Sequence, residues 1–146
     1  MSVQLKNYSF RFAEQVFNSR LSLKEEINSL LLKACEDLTV LGRPDFNRIL
    51  KNLFIEKGWI SQPRVSPDMN AYSKFDFMKE RVAVEVQFGH ASFLGIDLLK
   101  FQMASYSNLN LIDFGVYITT TKAMQKYLKL NYNRNWDGSL NYEKVV

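Results

Sequence analysis

Apolar and polar positions alternate with a helical period in the front half of the chain and with a strand period in part of the back half. Leu23, Ile27, Leu30, Leu31, Ala34, Leu38 and Leu41 recur at three- and four-residue steps, which is one face of an amphipathic helix. Ser22-Leu23-Lys24-Glu25 fits a capping box at its start, and Gly42 supplies a left-handed stop. Pro44 suits the first turn of a second helix, whose stripe of Phe46, Ile49, Leu50, Leu53 and Phe54 ends at Gly58. A shorter helix is expected within Tyr8 to Arg20.

After Trp59-Ile60, which opens an extended segment, Pro63, Pro67, Asp68 and Asn70 make Gln62 to Ser73 a loop. From Val82 to Phe88 the alternation is strict, with the valines and Phe88 on one face and Ala83, Glu85 and Gln87 on the other. Phe75-Asp76-Phe77 reads as a partner strand, with Met78-Lys79-Glu80-Arg81 as the hairpin loop between them, and folding back there brings Asp76 near Glu85. Gly89 breaks the strand. Ala91 to Tyr106 is then apolar nearly all round and is expected to form a well-buried helix, with Asp97 and Lys100 spaced to pair on it. Ile112 to Thr120, rich in β-branched and aromatic residues, is a third strand, parallel to an earlier one because a long helix precedes it. Beyond Thr121 the chain is rich in lysine, asparagine and aromatic residues, up to the turn at Asp137-Gly138, and this segment suits base edges and phosphates as well as any exposed loop.

Two carboxylates converging at a sheet edge, with no cysteine near them and one histidine in the chain, favour a hard cation such as magnesium over zinc. Oxygen ligands of that kind point to phosphate chemistry. The plain alternative is that Asp76 and Glu85 are solvated residues of a half-exposed hairpin. The same contrast applies to Arg43, Arg48 and Lys51, which face outward and either meet water or hold phosphates.

Composition narrows the setting. A chain of 146 residues, 47% hydrophobic, builds one core, so a single domain is expected, comprising helices at 8–58, the hairpin, helix and strand at 72–121, and the basic segment 122–146. The formal charge of +4 suits a polyanionic partner without demanding one. Cys35 cannot form an internal disulfide and falls in an apolar helical pattern, so a buried thiol in a reducing, intracellular setting is expected. No apolar run approaches the roughly 18–20 residues that span a bilayer.

The ordered run Phe-Asp-Phe-Met-Lys-Glu-Arg-Val-Ala-Val-Glu-Val-Gln-Phe-Gly resembles the active-site segment of BglII/BstYI-type restriction endonucleases, members of the PD-(D/E)xK nuclease superfamily with glutamine in place of lysine. The resemblance extends through Asp97-Leu98-Leu99-Lys100-Phe101 and Phe114-Gly115-Val116-Tyr117-Ile118-Thr119. It implies an α/β fold, a restriction-endonuclease-like core with a small mixed sheet flanked by helices. It also implies a homodimeric, cytoplasmic, prokaryotic type II enzyme that hydrolyses phosphodiester bonds of double-stranded DNA at a short palindromic site containing GATC.

Carried over residue by residue, the resemblance makes Asp76 and Glu85 ligands of Mg2+, joined by the backbone carbonyl of Val86, and makes Gln87 the residue that positions the attacking water. Gln87 is neutral and cannot act as a general base, so the water's proton leaves by another route. His90 either contacts DNA, accepts that proton, or is an ordinary surface histidine. Lys122, Asn133 and Arg134 are candidate DNA contacts. A further polar site residue upstream lies among Asp68, Asn70 and Ser73, and Lys100 is either a site residue or a salt-bridge partner of Asp97. Family enzymes continue past the Tyr142-Glu143-Lys144 region, so the alternative reading is a truncated or catalytically impaired DNA-binding remnant on the same fold.

Overall fold

A computed structural model describes residues 3–37, 43–65, 73–88, 91–106 and 110–132, and the chain separates into two compact units, Met1–Glu56 and Lys57–Val146. The first unit is helical: α1 (Ala13–Phe17), a 3-10 turn (Asn18–Arg20), α2 (Leu21–Ala34), a second 3-10 turn (Cys35–Asp37) and α3 (Arg43–Glu56). The predicted stripe of α2 is buried at Leu23, Ile27, Leu30, Leu31 and Ala34, and that of α3 at Phe46, Leu50 and Phe54. These two helices pack against each other. Pro44 lies in the first turn of α3, as expected, and Gly58 beyond its end takes φ +83°. Arg48 is exposed and pairs with Asp45 at 3.2 Å, and Lys51 is exposed too.

The capping box at Ser22 is not formed. The 3-10 turn runs directly into α2, which puts Ser22 inside the first helical turn and Arg20 at the cap, with no side-chain cap bond. Leu38, Leu41 and Gly42 lie outside the described residues. Cys35 is half-buried, and burial pushes its thiol up to about 11, so it stays protonated and inert.

The second unit carries a four-stranded mixed sheet in the order β1 (Ile60–Ser61), β2 (Phe77–Lys79), β3 (Val82–Gln87) and β4 (Phe114–Thr119). β1, β2 and β3 pair antiparallel, and β3 and β4 pair parallel, in register from Val82 opposite Phe114 to Gln87 opposite Thr119. Helix α4 (Leu94–Tyr106), entered through a 3-10 turn (Ala91–Phe93), makes the crossover between the parallel strands, as the sequence led one to expect.

The hairpin turn is tighter than the sequence indicated. Only Glu80 and Arg81 lie in it, both left-handed at φ +47° and +65°, so Met78 and Lys79 stay in the ladder and the strand begins at Phe77. Two left-handed central residues match the twist of a hairpin, but without glycine or asparagine they are strained. The Arg81 side chain offsets that strain: it donates to Asp113 Oδ1 at 3.0 and 2.8 Å and to Asn110 O and Oδ1 at 2.6 and 2.9 Å. The Asp113 N–H returns a bond to Arg81 O at 2.8 Å. The start of β4 is thereby tied to the turn.

Two further differences concern helices. α4 is not well buried: Leu94, Asp97 and Ala104 are buried, whereas Phe93 just before it and Ile96, Leu98, Leu99 and Tyr106 within it are exposed. An all-round apolar pattern marks a helix with two apolar faces, and the sheet covers only one of them. The basic, asparagine-rich segment after Thr121, for which the sequence predicts no element, opens with α5 (Lys122–Tyr132). Thr121 Oγ1 accepts the Met124 N–H at 3.1 Å as its N-cap, and Leu128 is fully buried.

α4 lies close to the sheet at Gly115. Phe101 stacks on Phe75 at 5.4 Å between centroids, and a Cβ on Gly115 would fall 2.6 Å from Phe101 Cγ. Gly115→Ala therefore forces the ring and its helix outward and is expected to destabilise the protein by about 1–3 kcal/mol, as overpacked cores do. Urea unfolding measures this, and unchanged stability would show that Phe101 has room to move.

Candidate active site

The register that ends with Phe77 opposite Val84 places Asp76, one residue before β2, beside Glu85. Two reciprocal bonds fix them. The Asp76 N–H donates to Glu85 Oε2 at 3.1 Å, and the Val86 N–H donates to Asp76 Oδ2 at 2.7 Å. Asp76 is held from its other side as well, its carbonyl accepting the Gln62 N–H at 3.0 Å. Gln62 itself takes φ +57°, which lets the chain turn beyond β1 towards the paired segment at Val65 and Ser73.

Glu85 is 6% exposed. Its Oε1 receives the ammonium of Lys100, which also donates to Asp97 Oδ1 at 3.1 Å and to the Lys74 carbonyl at 3.1 Å. All three protons of the ammonium thus have acceptors. Asp97, 3% exposed, receives the Tyr117 hydroxyl on its second oxygen at 3.2 Å. Tyr117 is the register partner of Glu85, and Thr119 that of Gln87. Strand alternation therefore puts Glu85, Gln87, Tyr117 and Thr119 on the sheet face that α4 crosses.

Burial raises Asp76 above the usual carboxylate range, opposed by the Val86 N–H and Lys100. Burial and the neighbouring Asp76 carboxylate push Glu85 up to about 7, against the pull of Lys100. Burial alone would lower the Lys100 ammonium, but its contacts with Glu85 and Asp97 win and hold it above its ordinary value. Three carboxylates around one ammonium leave a deficit of two positive charges, which one divalent cation would offset. The donors are hard oxygens, as magnesium or calcium prefers. Among the described residues no three His, Cys, Asp or Glu side chains converge to hold a metal ion.

The sequence profile of the family described as "Restriction endonuclease BglII/BglIII" matches residues 5–146. The chain belongs to the BglII/BglIII family of restriction endonucleases. It is accordingly a type II site-specific endonuclease acting on DNA. A solved structure described as "Crystal structure of restriction endonuclease BGLII complexed with DNA 16-mer" is similar to it at 20% identity and a TM-score of 0.58, covering 85% of this chain and 67% of that one, and so has the same fold. No match is found among the curated proteins.

For this BglII/BglIII-family chain the structure brings together Asp76, Glu85, Val86 and Lys100 and sets Gln87 one strand repeat beyond Glu85. Lys122 is exposed in the first turn of α5, just after the end of β4 where Thr119 pairs with Gln87. Asp68, Asn70, His90, Asn133 and Arg134 lie outside the described residues. Sequence reasoning missed the Lys74 carbonyl and Tyr117; of the two readings left open for Lys100, the salt bridge to Asp97 is present and the ammonium also reaches Glu85. One signal for the rest was available: a helix crossing between parallel strands returns over their face, which brings its inward positions above Glu85.

A raised Glu85 favours its protonated form in the fold. Its contribution to stability is complete below the ordinary value of 4.5 and is lost as pH rises through about 7. Carboxyl-carbon NMR of the metal-free protein is expected to show Glu85 titrating near 7. Asp76→Asn should lower that midpoint by removing a negative neighbour, and a wild-type midpoint near 4.5 would contradict the assignment.

Proposed function

We propose that the chain is a magnesium-dependent, homodimeric restriction endonuclease that cleaves double-stranded DNA at a short palindromic site containing GATC, in the cytoplasm of a prokaryotic cell. The observation that carries the catalytic part of this reading is the clasp between the half-buried Asp76 and the buried Glu85, two carboxylates short of positive charge at the C-terminal end of β3. Within a strand, the N–H and C=O of one residue project to the same edge. Since the Val86 N–H reaches Asp76, its carbonyl faces that side too and supports the role of third ligand.

Magnesium bound by Asp76 and Glu85 would polarise the scissile phosphate and lower the pKa of a bound water. The protein's own part is to hold the two carboxylates fixed and to orient that water through the Gln87 amide, which accepts or donates a hydrogen bond but takes no proton. Lys122 is a candidate phosphate contact, and His90, Asn133 and Arg134 are the other proposed DNA contacts. The net charge of +4 favours encounter with DNA. No helix among the described residues is long and apolar enough to cross a membrane.

A dimer suits a palindrome, because a two-fold protein presents the same surface to each half-site. The outer face of α4, with Ile96 62% and Tyr106 82% exposed, supplies an apolar surface for a second copy.

Plasmid incubated with the protein and Mg2+ is expected to give discrete fragments whose ends map to one palindrome. Asp76→Ala and Glu85→Ala should each reduce cutting by at least ~100-fold. Cutting should also fall with falling pH, since a protonated Glu85 no longer binds the ion. Equal cutting by the wild type and both variants would sink the catalytic assignment, and random ends would sink the site specificity. Sedimentation is expected to give twice the chain mass of 17.1 kDa, with Ile96→Glu shifting the protein towards monomer. A wild-type monomer at all concentrations would refute the dimer.

A further inference from the structure

We infer that Lys100 is a resident counter-cation of the site, holding Glu85 in the metal-free protein and yielding it to an arriving divalent ion by resting on Asp97 and the Lys74 carbonyl. This inference rests on the metal-dependent reading above. It assigns Lys100, Asp97 and Tyr117 roles as positioning residues.

The geometry carries it in three steps. Lys100 binds the same carboxylate that the proposed ion needs, through Glu85 Oε1. A second cation at that carboxylate therefore meets the repulsion of the ammonium for as long as it stays.

Next, losing Glu85 costs Lys100 one acceptor of three, because Asp97 Oδ1 and Lys74 O, each at 3.1 Å, remain. Asp97 sits one helical turn before Lys100, and its other oxygen is pinned by the Tyr117 hydroxyl at 3.2 Å. The resting place is thus built into α4 and β4.

Finally, Asp97 lies beyond Lys100 from the clasp and, in this arrangement, bonds to neither Asp76 nor Glu85. Among the described residues it joins no group able to ligate a metal. A carboxylate at most 4% exposed that neither reaches the ion nor faces solvent is costly unless it holds a cation, and the cation beside it is Lys100. The ammonium also neutralises part of the site while the ion is absent, which reduces the repulsion among Glu85, Asp97 and the half-buried Asp76.

The test is Mn2+ binding to the full chain, followed by calorimetry and by electron paramagnetic resonance of the free ion. Wild type should bind, and Asp76→Ala should not. Lys100→Met should bind roughly tenfold tighter, since a competing positive charge has gone. Asp97→Asn should bind roughly tenfold more weakly, because Lys100 is left pressing on Glu85. The deciding measurement is the double variant: if Asp97 acts through Lys100, Asp97→Asn loses most of its effect in the Lys100→Met background.

Unchanged or weaker binding by Lys100→Met overturns the inference, as does an Asp97→Asn effect of equal size in both backgrounds. Should Lys100→Met fail to fold, 15N NMR of lysine ammonium groups in the wild type serves instead. The Lys100 signal should shift on adding Mg2+, and a signal that does not move overturns the inference. Equal Mn2+ binding by wild type and Asp76→Ala has a different meaning: the metal centre itself is then misplaced.

Discussion

A carboxylate removed from water needs a positive charge close by, and the site end of the sheet is arranged around that requirement. Glu85 and Asp97 are buried and Asp76 is half-buried beside them, and one ammonium serves Glu85 and Asp97 directly. Hydrogen bonds from the Asp76 and Val86 amides and the Tyr117 hydroxyl supply further stabilisation of the charged forms. They do not close the gap, which is why Asp76 and Glu85 are raised. A site left short of positive charge by a rigid backbone is prepared for a cation, since the backbone need not move when one arrives and only the Lys100 side chain gives way.

That rigidity comes from elements well away from the carboxylates. Arg81 secures the strained turn at one end of the hairpin and fixes where β4 begins, and the β3–β4 register then sets Tyr117 opposite Glu85. Gly115 lets Phe101 lie on the sheet, and Lys100 is its neighbour in the chain. A shift of α4 outward would carry Lys100 and Asp97 away from Glu85 together. Packing and electrostatics are coupled through this single helix.

The elements nearest the chemistry were the most legible in the sequence. Strict alternation from Val82 fixed which residues share a face with Glu85, and the helix before Ile112 indicated a parallel strand; both hold. Local rules failed where a neighbouring segment overrode them. Ser22 has cap chemistry, but a 3-10 turn runs straight into its helix. Met78-Arg81 is polar enough for a four-residue loop, but the Arg81 network stabilises a two-residue one. α5 was hidden because it opens a longer segment rich in lysine and asparagine, although Thr121 and the buried Leu128 mark a cap and an apolar face. The Lys100–Glu85 contact lies fifteen residues apart in sequence and depends on the crossover geometry, which no local pattern encodes.

The two faces of α4 have opposite demands. Its inner face carries Asp97, Lys100 and Ala104 against the sheet, while Ile96, Leu99 and Tyr106 point to solvent. A buried charge needs a helix held in place, and an apolar outer face exposed to water does little to hold it. Covering that face would remove apolar surface from water and press α4 onto Gly115 and the strands, steadying the Lys100 ammonium at Glu85. In the proposed dimer, one act of association would then supply both the symmetry that a palindrome requires and the stiffness that the charged site requires. In that dimer the all-round apolar character of α4 would serve two surfaces at once: one against its own sheet, the other for a second copy.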